Sequence, residues 1–310
     1  MLVVPLMDRM VAPLMDRMVA AGHVLATGEP GLVGRGAGLQ AVVDGIVALA
    51  RMHGADDRAE PMQFPPAIPR ASMEQSGYLK SFPNLAGTVH CFCGDERGHR
   101  TLLACMDAGE DWTGQQQISG SAITPASCYP VYPAMAARGP LPAGGHVVSI
   151  RSYCFRHEPS AEPTRLQWFE LFEHVTLGDR EHVVAFRTAW MARGIAIATV
   201  LQLPHDMEVA NDPFFGRAGT LMSDAQRQQE LKFELVVPVN PGLKPTACMS
   251  FNYHLQHFGE IWDVRTADGT VAHTACVGFG LDRLAFALLH THGMDLSAWP
   301  ASVRIALRLP

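Results

Sequence analysis

Read from the N-terminus, polar and apolar positions fall into a helical rhythm in only a few places. From Leu39 to Met52 the apolar residues recur at the spacing of an amphipathic helix. Pro61, Pro65, Pro66 and Pro69 then crowd a short stretch that reads as a linker. Residues 1–60 are therefore expected to form a small helical segment and residues 61–310 the main domain. Residues 72–85 (SMEQSGYLKSFPNL) predict a helix that stops before Pro83, because proline lacks an amide and disfavours helix in the residue before it. Extended segments dominate from Val89 to Cys276, among them residues 88–93, 146–158 (HVVSIRSYCFRHE) and 166–175 (LQWFELFEHV). Helical stretches interrupt them at Arg180–Arg193 and Ser223–Gln229. A last strand, residues 273–277, runs into GFGLDRLAFALLHTHG, where Leu281, Leu284, Ala285, Leu288 and Leu289 follow the spacing of a buried helix face. Strands in series, flanked by helices and without β–α–β alternation, predict an α+β domain around an antiparallel sheet.

Composition narrows the function. A net charge of −6 with no run of Lys or Arg argues against broad affinity for nucleic acid or an anionic membrane. No stretch holds the eighteen or so uninterrupted apolar residues of a membrane span, and the N-terminus carries charges where a signal peptide would be apolar. PLMDRMV occurs at residues 5–11 and 13–19, a local duplication to which no chemistry attaches. Seven cysteines, an odd number without a disulfide-like framework, point to a reducing compartment and a cytoplasmic protein.

Two constellations carry candidate chemistry. Arg156 and Glu158 leave one extended segment, and Arg165, Phe169 and Glu173 enter the next. Strand alternation sets Arg156 with Glu158, and Arg165 with Phe169 and Glu173. Such a hairpin can hold a nucleotide, with arginines on phosphates and a ring on the base, or it can be an exposed salt-bridged hairpin. The second is Gly278-x-Gly280-x-x-Arg283, where glycines allow close ligand approach and Arg283 falls in the first helical turn. It lacks the further glycine of a dinucleotide fingerprint. In residues 247–259 alternation sets Ser250, Asn252 and His254 on one face; Asn252 is the candidate substrate or ribose contact, with hydrogen bonding inside the sheet as the alternative. Lys232 and Glu234 share a face without a firm role. His90, Cys91, Cys93 and His99 suggest a metal site, but their spacing does not match a zinc finger and a structural role is expected. Taken alone, Cys128 and Cys276 read as buried core cysteines.

In order, SGYLKSFPNL, FRHE with TRLQWF, and GFGLDR resemble motifs 1, 2 and 3 of the class II aminoacyl-tRNA synthetases. SCYPVYP, FELFEHV, ACMSFNYHLQHFG and AHTACVGFGLDRLAFAL resemble the zinc-dependent, archaeal-type seryl-tRNA synthetases, and still more their stand-alone bacterial relatives, the amino acid:[carrier protein] ligases. The resemblance covers about residues 70–290 and implies an ATP enzyme forming an aminoacyl-adenylate with Mg2+. It assigns Arg156 to the α-phosphate and the amino acid carboxylate, and Glu158 to the adenine or amino group. Arg165 falls to the outer phosphates, Phe169 to the adenine stack and Arg283 to the γ-phosphate. It also implies Zn2+ on Cys128, Glu173 and Cys276, with the open fourth position for the substrate amine. Glu173 shares a face with Phe169 while Glu170 points away, which agrees. Motif 1, with Gly77, Tyr78 and Pro83, implies a homodimer.

About sixty residues precede motif 1, fewer than the tRNA-binding domain of such a synthetase needs. The expectation is a ligase that charges the phosphopantetheine thiol of a carrier protein with a small amino acid, glycine or alanine, and binds neither tRNA nor membrane. A tRNA-acting relative and a catalytically inactive binding paralogue are the alternatives. Trp168, Trp190, Trp262 and several methionines are candidate walls of the amino acid pocket.

Overall fold

Alternating residues on two adjacent strands decide which side of this molecule is core and which is site. The computed structural model describes residues 13–160, 162–239 and 243–310. It begins with helix α1 (Leu14–Ala20), a hairpin of β1 (Val24–Ala26) and β2 (Val33–Arg35), and helix α2 (Ala37–His53). The second PLMDRMV copy lies largely in α1, with Leu14 and Met18 buried; the first falls outside the described residues. Strand β3 (Glu60–Met62) and strand β4 (Ala67–Pro69) follow, then helices α3 (Arg70–Gln75) and α4 (Tyr78–Ser81). The single helix expected over residues 72–82 is thus two short ones. Gly77 stands between them at φ 76°, a left-handed conformation that ends the first and redirects the chain.

Next come β5 (Thr88–Phe92), α5 (Glu96–Asp107), β6 (Gln116–Ile123), α6 (Val131–Ala136), β7 (His146–Phe155) and β8 (Trp168–Gly178). Helix α7 (Arg180–Val200) is started by Asp179, whose carboxylate accepts from the His182 amide at 2.8 Å. It runs seven residues past the expected end at Arg193. Its length and hydropathy would suit a membrane span, yet a stripe of Val183, Phe186, Trp190, Ile197 and Ala198 is buried against the sheet. Strand β9 (Asp206–Val209), helix α8 (Gly216–Gln228), β10 (Lys232–Val237), β11 (Thr246–Tyr253), α9 (His257–Trp262), β12 (His273–Gly280), α10 (Leu281–His292) and α11 (Ala301–Ala306) complete the chain. Helix α8 starts seven residues before the expected Ser223.

Seven strands form the main sheet in the order β3-β7-β8-β12-β11-β10-β9. Every neighbouring pair is antiparallel except β3 and β7. One face presents Phe172, Val277, Phe279 and Phe251 to α2, α7 and α10, and this is the largest core. Leu39, Val42, Val43, Ile46 and Leu49 of α2 belong to that same core, so the chain before the proline cluster packs with the sheet. A separate three-stranded sheet, β4-β6-β5, carries the HCFCGDERGH segment at its edge. Cys91 and Cys93 are exposed there, while Cys154 and Cys248 are buried strand residues.

Candidate active site

On the opposite face of the sheet, the register places small and polar residues side by side. Glu173 pairs with Gly278, Gly278 with Ser250, and Cys276 with Asn252. A Cβ on Gly278 would come within 3.1 Å of Ser250 Oγ and 3.3 Å of Glu173 Oε1, so glycine keeps the floor open. Above it lies a cavity of about 540 Å³. Its roof includes Tyr78 and Phe82 of the motif 1 region and Phe214 with Met222 of the α8 region. Phe82 and Phe214 stack at 5.1 Å, and the Phe215 amide donates to Ser81 O at 2.8 Å, joining the two halves of the roof.

At one end the cavity is built for an anionic, aromatic ligand. Arg156 sits just past the end of β7, its amide donating to Gln167 O at 3.0 Å. Its guanidinium lies 5.3 Å from the Phe169 ring centroid and donates through Nε to Pro125 O. Arg283, in the first turn of α10, donates to Thr164 O at 3.0 Å and Ala247 O at 3.1 Å. Burial pushes its guanidinium below the usual range, so an anion would be welcome there. Glu158 also lines the cavity. It belongs to the turn after β7, so strand alternation does not govern it. Arg165 is not among the lining residues: it is exposed at the rim, paired with Glu162 at 2.9 Å and Glu158 at 3.4 Å.

At the other end Cys128, Glu173 and Cys276 each offer a ligand atom, all within 4.8 Å of one another and all buried. The Cys128 and Cys276 thiols face each other across the triad. That contact, before burial, pushes the Cys128 thiol well up and the Cys276 thiol well down. His254 and Asn252 assist Cys276: Asn252 Nδ2 donates to its Sγ at 3.4 Å and His254 Nε2 lies at 3.6 Å. Burial, then the neighbouring Cys276, holds the Glu173 carboxyl well above the usual carboxylate range. Glu173 Oε2 has no hydrogen-bond partner among the described residues. Two thiols and a carboxylate with one orphaned oxygen suit zinc.

Several expectations change on this geometry. Asn252, the candidate substrate or ribose contact, lines the cavity with its amide on Cys276, at the triad end. Trp168, Trp190 and Trp262 are not among the residues lining the cavity, and Trp190 is fully buried on the helix side of the sheet. Tyr129, His254 and Phe258 wall the cavity beside the triad instead, and Tyr132 stacks on Phe258 at 4.1 Å. Met222 and Met249 do line it. Lys232 is held by Asp212 at 2.6 Å and Glu234 at 3.0 Å. Tyr78, expected at a dimer interface, faces the cavity with a buried hydroxyl that has no partner among the described residues. Sequence offered no signal for that beyond its place in motif 1.

No family model matches the chain. It is 48% identical over 282 residues, 91% of its length, to amino acid–[acyl-carrier-protein] ligase 1 of Bradyrhizobium diazoefficiens, covering 86% of that relative. The chain belongs to the amino acid–[acyl-carrier-protein] ligase family. As a member it is a ligase built on the class II aminoacyl-tRNA synthetase fold. Among solved structures, M. kandleri SerRS in complex with A. aeolicus tRNASec superposes with a TM-score of 0.77 at 20% identity, over 95% of this chain and 60% of that one. Pyrococcus horikoshii seryl-tRNA synthetase complexed with ATP gives 0.69 at 12% identity, over 96% and 62%. The chain therefore spans about three-fifths of these synthetases, and at these identities the likeness concerns fold.

Proposed function

We propose that this ligase activates glycine or alanine with ATP and Mg2+ and passes the aminoacyl group to the phosphopantetheine thiol of a carrier protein. The observation that carries the reading is the joining, in one cavity, of the Arg156–Phe169–Arg283 end with the Cys128–Glu173–Cys276 triad. Phe169 would stack on adenine while Arg156 and Arg283 neutralise phosphate charge. A carboxylate oxygen of the amino acid then displaces pyrophosphate at the α-phosphorus, a reaction governed by positioning and charge stabilisation. The carrier thiolate next attacks the activated carbonyl; a thioester forms and AMP leaves. Zinc held by the triad would supply a Lewis-acid position for the free amine and fix its carboxylate toward ATP. The rings of Tyr129, Phe258 and His254 around the triad favour a substrate with little or no side chain.

Two further expectations belong to this reading. Cys91, Cys93, Cys105, Cys128, Cys154, Cys248 and Cys276 are all free thiols, in keeping with a cytoplasmic protein. Phe92, Leu103, Met106, Trp112 and Ile118, in and beside the three-stranded sheet, are exposed, in keeping with a homodimer built next to motif 1. The function is tested by incubating the enzyme with ATP, glycine or alanine, and either a phosphopantetheinylated carrier protein, its apo form, or tRNA. Intact-mass measurement should show aminoacylation of the holo-carrier alone. Charging of tRNA in its place would favour the synthetase alternative.

A further inference from the structure

The β1–β2 hairpin lies outside all three motifs, yet its polar contacts converge on the residues flanking Phe169 and Arg283. At its tip, Gly31 O accepts from the Gln167 amide at 2.9 Å and the Trp168 amide at 3.3 Å. Pro30 O accepts from Gln167 Nε2 at 2.8 Å. Gly31 has φ +73°, and a Cβ there would sit 2.9 Å from the Gln167 backbone nitrogen, so the contact demands glycine. At the hairpin's base Arg35 forks between two elements. Nη1 donates to Glu170 Oε2 at 2.5 Å on β8, and Nε donates to Asp282 Oδ1 at 2.9 Å on α10. The second Asp282 oxygen accepts from the Glu170 amide at 2.8 Å. The side chains of Arg35, Glu170 and Asp282 are only 6–8% exposed.

The hairpin thus holds Gln167, just before β8, and β8 itself at positions 168 and 170, on both sides of Phe169, and holds α10 at position 282, next to Arg283. Glu170 has a second cation, because Arg151 Nε donates to its Oε1 at 2.6 Å. Asp282 has no cation but Arg35 among the described residues. Loss of Arg35 would leave Asp282 buried beside Glu170 with their charges unbalanced, and the β8–α10 contact would open. A shift of even 1 Å at such a support is enough to misplace a ligand-facing group.

We propose that the β1–β2 hairpin is a buttress of the nucleotide end of the cavity, and that Arg35 is a positioning residue for Phe169 and Arg283; this rests on the reading of that end as the ATP site. The test uses the full chain as wild type, Arg35→Met, Arg35→Lys and Gly31→Ala. Val303→Ala, on the buried face of α11, serves as a destabilised control that does not line the cavity. ATP binding is measured by calorimetry, and Michaelis constants for ATP and amino acid by pyrophosphate exchange. Arg35→Met is expected to raise the ATP constant about tenfold or more while the amino acid constant stays within about twofold. Arg35→Lys, with one charge but no fork, should fall between it and wild type. Val303→Ala should leave the ATP constant unchanged. Should Arg35→Met not fold, Arg35→Lys and Gly31→Ala carry the same comparison. Equal rises in both constants, or hairpin variants that behave like Val303→Ala, would overturn the buttress while leaving the ATP site standing. Absence of ATP binding by the wild type would overturn both.

Discussion

Replacing Cys276 with alanine should abolish zinc binding and the stability that zinc confers. The three ligand atoms lie within 4.8 Å of one another. A tetrahedral ion with bonds of about 2.3 Å to sulfur and about 2.0–2.2 Å to oxygen needs ligand atoms roughly 3.4–3.8 Å apart. Closing the site therefore takes rotamer-scale movement of about 1 Å and leaves the strands in place. With free zinc a thousandfold above its dissociation constant, binding stabilises the folded chain by about 4 kcal/mol. At about 2 °C per kcal/mol for a chain of this size, the melting temperature should rise by roughly 8 °C. Truncating one small buried side chain costs the metal-free protein about 1 kcal/mol, which is the smaller effect. The assay is a thermal melt of chelator-stripped and zinc-buffered protein, with metal content measured in parallel. Wild type should hold one zinc and show the rise; Cys276→Ala should hold none and melt alike with and without zinc. Retention of one zinc and the full rise by Cys276→Ala, or no chelator effect on wild type, would refute the assignment.

Other outcomes follow from the same geometry. Arg283→Ala should lower adenylation by ~10²-fold, read by pyrophosphate exchange, because a buried cation facing the cavity is lost; an unchanged rate and ATP constant would contradict its role. N-methylglycine and proline should exchange poorly compared with glycine if the amine is held at the triad, and efficient exchange of either would argue against it. Burial pushes the His174 imidazole down to about 4, and neither ring nitrogen has a hydrogen-bond partner among the described residues. With its folded pKa below the unfolded value near 6.5, its neutral form favours folding above that value, and this contribution is lost as pH falls toward 4. Urea melts should show roughly 2 kcal/mol less stability from this group at pH 5 than at pH 7.5. His174→Phe should flatten that slope, whereas an unchanged slope would remove His174 as its cause.

Local periodicity made a good part of this molecule legible. A strand's period of two is a property of neighbouring residues, so it separates Phe169 and Glu173 from Phe172 with no knowledge of the fold. The same is true of the α10 stripe, which forms part of the largest core. Features that depend on partners far along the chain were not legible. The triad joins residues from three separated segments, and only the resemblance brought Cys128 and Cys276 together with Glu173. Arg35 meets Asp282 across 247 positions, and nothing in its immediate neighbours announces it. Trp190 is large enough to wall a pocket, but its place on α7 sends it to the other side of the sheet. The break at Gly77 went unseen because helix flanks it on both sides, and only its own φ of 76° turns the chain. Helix α5 is a different case: it is amphipathic, yet it buries no residue, and Leu103 and Met106 on it stay exposed.

The central claim is that the cavity adenylates a small amino acid. ATP–pyrophosphate exchange over the twenty protein amino acids tests it most directly, using zinc-loaded wild-type enzyme with Mg2+. The account predicts exchange with glycine or alanine, and little with any amino acid whose side chain is larger than a methyl group. No exchange with any amino acid, or strongest exchange with a bulky one, would contradict it.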